Sequence, residues 1–375
     1  MSLKYYTIKN VLNNCKTTMI NRVNIKNFKS ITEIDVPLGT INVLIGANGS
    51  GKSNILEAIG MVAANSENEI DLNKLSQAGI RVARPDLMIN SFLGQSQKKE
   101  IEISIYNDVC GQRYMITRPQ DDYIMAPWLS KIENDCDDVS SLEFVDFQSR
   151  LRKFEIYTPE IDALRGLSQQ STRMPIGIHG EGFDIILNLL HPELRNEAAR
   201  EARNCIDWMY RVTFDNNDEL KVMGYKLGRS TSHLFFSDRF MQRKNNLFSA
   251  ENVNEGALVV LFYLTLIMSD KTPKFFAIDN VDMRLNPKLC RYLMGLLYKY
   301  AKRFEKQLII TTHNPAILDG INLNDDDQRL FVVSRSDLGN TIVKRIQMKP
   351  SVSGMRMKLS EMWMNGMLGG LPENF

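Results

Sequence analysis

Close cysteine pairs are missing from this chain. Cys15, Cys110, Cys136, Cys205 and Cys290 are odd in number and scattered, so neither a disulfide framework nor a zinc site is indicated, and reduced thiols are expected. An excess of one charge sign is missing too. With 46 basic and 44 acidic residues the formal charge is +2, which marks neither a strongly nucleic-acid-binding nor a membrane-surface protein, although a local basic groove stays open. The longest apolar run, ALVVLFYLTLIM at 257–268, is too short to span a bilayer, and the amino terminus shows no charged-then-apolar leader. A cytoplasmic protein without a membrane partner is therefore expected. Internal repeats are absent, and nothing in 54–250 sustains apolar a and d positions over several heptads, so no long coiled-coil arm is expected.

What is present is enough chain, 375 residues, to bury a large core in one elaborate domain or two joined lobes. The stretch 19–46 alternates as strands do and ends in the apolar TINVLI, and 54–64 has helical spacing. EIEISIYNDV and RYMITRP read as strands, and 119–142 as an acidic, polar surface excursion. GFDIILNLL and ELRNEAAREARNCIDWMYRV read as helices, DELKVMGYKL and HLFFSD as strands. From 254 onward a buried helix, the strand FFAID, a helix at 288–304, the strand QLIITTH and a last strand RLFVVSR alternate in α/β fashion. The expected plan is an extension over 1–18, a first lobe over 19–140, a helical insert over 141–235, a second lobe over 236–348 and a tail over 349–375. In the tail, methionines around Trp363 and several glycines suit either packing on the second lobe or contact with a partner.

Residues 46–53, GANGSGKS, match G-x-x-x-x-G-K-[ST] between an apolar strand and a helix. Gly46, Gly49 and Gly51 let the amides of Ala47, Asn48, Ser50 and their neighbours fold around phosphate oxygens. Lys52 brings a point charge to the β- and γ-phosphates, Ser53 offers a hydroxyl to Mg²⁺, and the helix start, continuing into Asn54, favours an anion. Asp279, delivered by the apolar FFAI, is placed to hold the Mg²⁺. His313, at the end of IITTH, reads as a γ-phosphate sensor or as a satisfied hydrogen-bonding residue. These residues predict an α/β P-loop NTPase that uses ATP and Mg²⁺.

GANGSGKSN, AIDNVDMRLNP and TTHNPAILDG, with VNIKNFKSI before them, resemble the ABC-type ATPase heads of the AAA family. That group includes structural-maintenance-of-chromosomes heads, RecF-like repair ATPases and the ATPase modules of overcoming-lysogenization-defect nucleases and related anti-phage systems. The resemblance covers roughly 20–345 and implies a head of two lobes with a helical insertion. It implies a head-to-tail homodimer in which each copy's signature loop closes on its partner's γ-phosphate. Here that loop is Asn254, Glu255 and Gly256, with Asn254 where serine is usual; a plain helix cap is the other reading. Lys29 in KNFKS matches a basic element near the nucleotide, or a solvated strand end. Gln77 is the loosely spaced candidate for a glutamine lining the site. The resemblance further implies a separate effector such as a nuclease, with nucleic acid as another partner class. Its functional reading is an ATPase that switches or scaffolds that effector; the rivals are a repair ATPase on duplex DNA and a scaffold without turnover.

Such heads place glutamate directly after the Mg²⁺ aspartate, where it deprotonates the attacking water. Asn280 stands there instead and cannot accept a proton. Loss of a general base costs about 10²- to 10⁴-fold, so slow hydrolysis is expected. Asp282 would substitute if its turn swings it inward; a surface carboxylate is the other reading.

Overall fold

The computed structural model describes residues 19–65, 69–70, 72–93, 98–118, 127–136, 138–168, 176–226, 229–347 and 357–371. Strands β1 (Arg22–Phe28) and β2 (Ile31–Pro37) form an antiparallel hairpin whose alternate residues Val23, Ile25, Ile34 and Val36 are buried. β3 (Ile41–Ile45), buried throughout, feeds helix α1 (Lys52–Ala63). β4 (Glu69–Ile70), β5 (Glu100–Tyr106), β6 (Gly111–Thr117) and β7 (Trp128–Asp135) complete an antiparallel sheet in the order β2-β1-β5-β6-β7-β4.

Helix α2 (Leu142–Arg152) and β8 (Ile156–Tyr157) follow, then α3 (Phe183–Leu189) and α4 (Pro192–Cys205). β9 (Met209–Phe214), β10 (Leu234–Asp238) and β11 (Phe248–Ser249) make a three-stranded antiparallel sheet. The remaining elements are α5 (Glu255–Met268), β12 (Phe275–Ile278), α6 (Pro287–Arg303), β13 (Gln307–Thr312), β14 (Gln328–Arg335), β15 (Thr341–Ile346) and α7 (Leu359–Met364). The central sheet runs β15-β14-β3-β13-β12-β8, parallel except for β15.

Period-two alternation splits this sheet between two cores. Leu44, Phe275, Ala277 and Ile309 pack with α1 and the antiparallel sheet, while Val43, Ile45, Phe276, Ile278 and Ile310 pack with α5 and α6. Every residue of α5 from Gly256 to Met268 is buried, which accounts for the apolar run at 257–268: the helix is covered all round. β3, from the stretch 19–140, and β8, from 141–235, pair with strands of 236–348, so the central sheet gathers all three stretches. The longest helix among the described residues, α6, has 17 residues, and no coiled-coil arm is present among them.

The local readings fail at four places. Residues 128–135, read within a surface excursion, form β7: only Trp128 is buried there, and the polar remainder lies next to the sheet edge, where alternation fades. The helix expected through Val212 ends at Cys205, and Met209–Phe214 pairs with β10. Glu219–Val222, read as strand, is a helical turn because both Asp215 carboxylate oxygens take its first amides, from Glu219 and Leu220, at 2.9 Å. β15 follows the strand expected to be last. The extension 1–18 lies outside the described residues. Of the tail, 357–371 docks on the 236–348 stretch: Ser360 bonds Asp319, and Trp363 and Leu368 are buried.

Candidate functional site

The turn between β3 and α1 is held by what its glycines permit. A Cβ on Gly46 would lie 2.1 Å from the Val333 carbonyl oxygen, and one on Gly51, at φ 107°, 2.2 Å from Thr341 Oγ1. Thr341 also bonds the Ser50 carbonyl at 3.1 Å and the Ser30 hydroxyl at 2.7 Å, while Asn54 Nδ2 donates to Ser30 Oγ at 2.7 Å. Arg335 Nε donates to the Gly49 carbonyl at 2.8 Å. Asn48 and Gly49 are exposed at the tip; the Asn54 side chain is committed to Ser30.

Lys52 Nζ lies 2.9 Å from the Gly46 carbonyl and 3.0 Å from that of Ala47. Burial pushes its pKa down to about 8, against the pull of Asp279 and Asp282. His313 Nδ1 is 3.4 Å from this ammonium, and partial burial together with Lys52 holds the imidazole below its ordinary pKa.

Asp279 leaves β12 between neighbours that fix both carboxylate oxygens. Ser53 Oγ donates to Oδ2 at 3.0 Å, and Thr311 Oγ1 donates to Oδ1. Asn280 is exposed, in the left-handed region at φ 56°, with its amide on Thr311 Oγ1 at 2.9 Å. Asp282 is turned inward: Thr312 Oγ1 donates to it at 2.5 Å and accepts the Asn314 amide at 3.0 Å. The Asp282 carboxylate thus braces the strand end that carries His313. Thr311 and Thr312 escaped the sequence reading, although the TTH run before Asn314 is their signal.

The other expected residues lie apart from this cluster. Lys29 Nζ pairs with the buried Glu57 at 2.5 Å, and Arg81 Nε reaches the same carboxylate at 2.7 Å. Beside α1 a cleft of about 320 Å³ is lined by Ser53, Glu57, Arg81, Thr158, His179 and Asp279, among others. Gln77 is exposed and does not line it, although Ser76 does. Asn254 Oδ1 accepts the Gly256 amide at 2.9 Å and caps α5. Glu255 faces Arg165 at 3.8 Å and Arg284 at 3.5 Å, on the turn after β12 and outside the cleft. Thr158 and His179 belong to EIYTPEIDALRG and PIGIHGEG, segments that read from sequence as loops near the site, although neither residue was singled out. They come from segments whose meeting depends on the β8–β12 pairing.

Comparison with known proteins places this arrangement. The profile of the AAA ATPase domain family matches residues 19–225. A second AAA domain profile, whose description also names the AbiEii toxin of type IV systems, matches 243–319. An OLD nuclease of Thermus scotoductus is 22% identical over 320 residues, 80% of this chain and 60% of that protein. The chain thus spans about three fifths of that relative's length. Among solved structures, the SMC head domain from Thermotoga maritima superposes with a TM-score of 0.53 at 14% identity, covering 88% of this chain and 99% of that one. The SmcHead bound to the C-winged helix domain of ScpA gives 0.58 at 16%, covering 88% and 98%. The fold is that of an ABC-type ATPase head.

Proposed function

The chain belongs to the AAA ATPase domain family, and from that premise we propose that it binds ATP and Mg²⁺ at the 46–53 loop, hydrolyses ATP slowly, and pairs head to tail with a second copy to pass nucleotide state to an effector. The observation that carries the reading is the meeting of the loop helix with the end of β12, where Ser53 Oγ and Asp279 Oδ2 stand 3.0 Å apart. A hydroxyl and one carboxylate form an oxygen donor set suited to Mg²⁺, which takes its remaining ligands from phosphates and water. Gly46 and Gly51 let the loop lie against Val333 and Thr341, where a Cβ would collide, and a glycine-rich turn at the start of α1 suits phosphate oxygens. When bound, Mg²⁺ would neutralise charge developing on the phosphates. Lys52 holds the phosphate end, and the Thr311 hydroxyl keeps Asp279 oriented.

Slow turnover is supported by Asn280, which puts no proton acceptor where such heads carry glutamate, and by Asp282, whose carboxylate is engaged by Thr312, so that any base must act from another position. A second copy is supported by the place of Asn254, which caps α5, and of Glu255 and Gly256, which open it, beside the 281–286 turn and outside their own chain's cleft. Likeness to an OLD nuclease supports a nuclease as the effector class and anti-phage defence as the setting.

Single-turnover hydrolysis and size measurements with and without ATP·Mg²⁺ test the reading. Tight binding, a dimer formed with ATP, and turnover well under the roughly 10 s⁻¹ typical of enzymes are expected. Absence of ATP binding overturns it; binding without turnover reduces it to a nucleotide-gated scaffold.

A further inference from the structure

Position 280 supplies no base, and the cleft beside Asp279 holds a residue built for the work. Thr158 follows β8 and flanks Asp279: Ile278 pairs with Tyr157, whose carbonyl takes the Asp279 amide at 2.9 Å. His179, in the Gly-rich stretch 176–182, is pinned against this strand end. Thr158 donates its amide to Ile178, and Glu160 donates its amide to His179, both at 2.9 Å. The imidazole Nδ1 lies 3.0 Å from the Thr158 carbonyl, 3.1 Å from its hydroxyl and 3.3 Å from a Glu160 carboxylate oxygen. The carbonyl and the carboxylate can only accept, so Nδ1 carries the proton of the neutral ring and Nε2 the lone pair. An acid orienting one imidazole nitrogen while the other stays basic is the arrangement of a working general base. The charged groups around the ring are Glu160 and Glu181 on its own side, with Glu57, Arg81 and Asp279 lining the cleft. Asp282 does not line it.

We propose that His179, oriented by Thr158 and Glu160, is the general base of ATP hydrolysis in this chain. The proposal rests on the ATPase reading above. Water oxygen bonds to the γ-phosphorus as the bond from that phosphorus to the ADP oxygen breaks. Nε2 takes the water proton and later returns it to solvent, giving ADP and phosphate.

The test measures ATP affinity and single-turnover rate separately in wild type, His179→Ala, His179→Gln, Glu160→Gln and Asp279→Ala. Expected are rates lower by about 10²-fold or more for both His179 variants, with ATP affinity within about threefold of wild type, and a smaller loss for Glu160→Gln. Added imidazole should restore part of the rate to His179→Ala and none to Asp279→Ala. A rate within about threefold of wild type in His179→Gln overturns the proposal, since that side chain lacks a basic nitrogen. Loss in both His179 variants without imidazole rescue also overturns it, in favour of a structural role. Wild type that binds no ATP or never turns it over fails the ATPase reading first, and the proposal falls with it.

A separate observation carries a second inference. Cys110 precedes β6 and Cys136 follows β7; Gly111 pairs with Asp135, so the two cysteines continue that ladder, and their sulfurs stand 2.8 Å apart. The expected reduced thiols stand for both residues, while the lack of close pairs in sequence does not carry into space, because proximity across a ladder leaves no mark in spacing. Cys110 is buried and Cys136 partly exposed. The geometry points to an oxidisable dithiol. A peroxide converts the Cys136 thiol to a sulfenic acid with release of water, and the Cys110 thiol displaces a second water to close the disulfide.

Treating the full chain with hydrogen peroxide and mapping unreduced peptides tests this. Expected are a joined 110–136 peptide pair, loss of two of the five titratable thiols, reversal by dithiothreitol, and no such pair in Cys136→Ser. Peroxide that leaves both thiols free, or joins Cys110 elsewhere, overturns it.

Discussion

Ser53 and Asp279 are 226 residues apart in the chain, and their side chains meet at 3.0 Å. The pairing exists because β3 and β12 flank β13 in one parallel sheet, so that the loop after β3 and the carboxylate after β12 emerge at the same edge. Ligands of open parallel sheets gather outside the carboxyl ends of the strands.

Replacing either partner should therefore separate metal from nucleotide. Asp279→Asn is expected to retain ATP binding without Mg²⁺ but to lose the gain in affinity that Mg²⁺ brings, with turnover lower by about 10²-fold or more. Ser53→Ala should do the same more weakly, because Asp279 keeps its Thr311 bond. Magnesium titrations of nucleotide affinity read both, and undiminished Mg²⁺ dependence in Asp279→Asn would contradict the assignment.

The pKa of Lys52 gives a pH signature. Burial holds it at about 8 in the free protein, and polyphosphate against Nζ favours the charged form and raises it. Below pH 8 the lysine is protonated in both states and affinity stays level on its account. Above pH 8 the free site has lost its proton and binding must take one up, so affinity should fall by up to about tenfold per pH unit until the bound pKa is passed. Titration calorimetry in buffers of different ionisation enthalpy should show proton uptake near pH 9, and Lys52→Met should bind ATP far more weakly, with no uptake. Wild-type affinity that is flat from pH 7 to 10 would refute the linkage.

The loop and β12 were legible because their chemistry restricts residue type at each position: glycine where a Cβ collides, lysine and serine where charge and hydroxyl are needed, an apolar run where a strand is buried on both faces. Lys29 followed a family position, yet the buried Glu57 claims its ammonium, a partner that only the packing of β1 against α1 brings near. Thr158 and His179 were legible only as segments, EIYTPEIDALRG and PIGIHGEG, that read as loops near the site; which residue of each reaches the cleft was not. Neither belongs to a motif, and their place beside Asp279 depends on a two-residue strand, β8, too short for periodicity to reveal. Asp282 was left between an inward and a surface reading, and Thr312, on another strand, decides for the first.

Asn280 holds a left-handed backbone that asparagine tolerates and glutamate adopts at a cost of roughly 1 kcal/mol. Asn280→Glu should thus lower stability modestly while raising turnover about tenfold or more, since it adds a base one residue after Asp279. Asn280→Gln carries the same strain without the base and should show the loss of stability alone. Equal rates in the two variants would mean that position 280 does not face the attacking water.

The tail divides between a buried and an exposed set, and the two should respond differently. Trp363 and Leu368 are 5% and 4% exposed, Ser360 bonds Asp319 at 3.0 and 2.8 Å, and a Cβ on Gly370 would meet Val332 at 2.4 Å, so this stretch is part of the core that α5 and α6 share. Met364 and Met367, at 62% and 60% exposed, point away from it. Trp363→Ala should cost about 3 kcal/mol in urea unfolding, the lower end for a buried aromatic, because the tail lies at the rim of the core. Met364→Ser with Met367→Ser should leave unfolding nearly unchanged, and any loss of effector co-purification should appear in this double variant. Ending the chain at Lys358 should combine both effects. A shortened chain as stable as the full one would show that the docked tail contributes nothing to the fold, and the exposed methionines would then have no rigid base from which to present a surface.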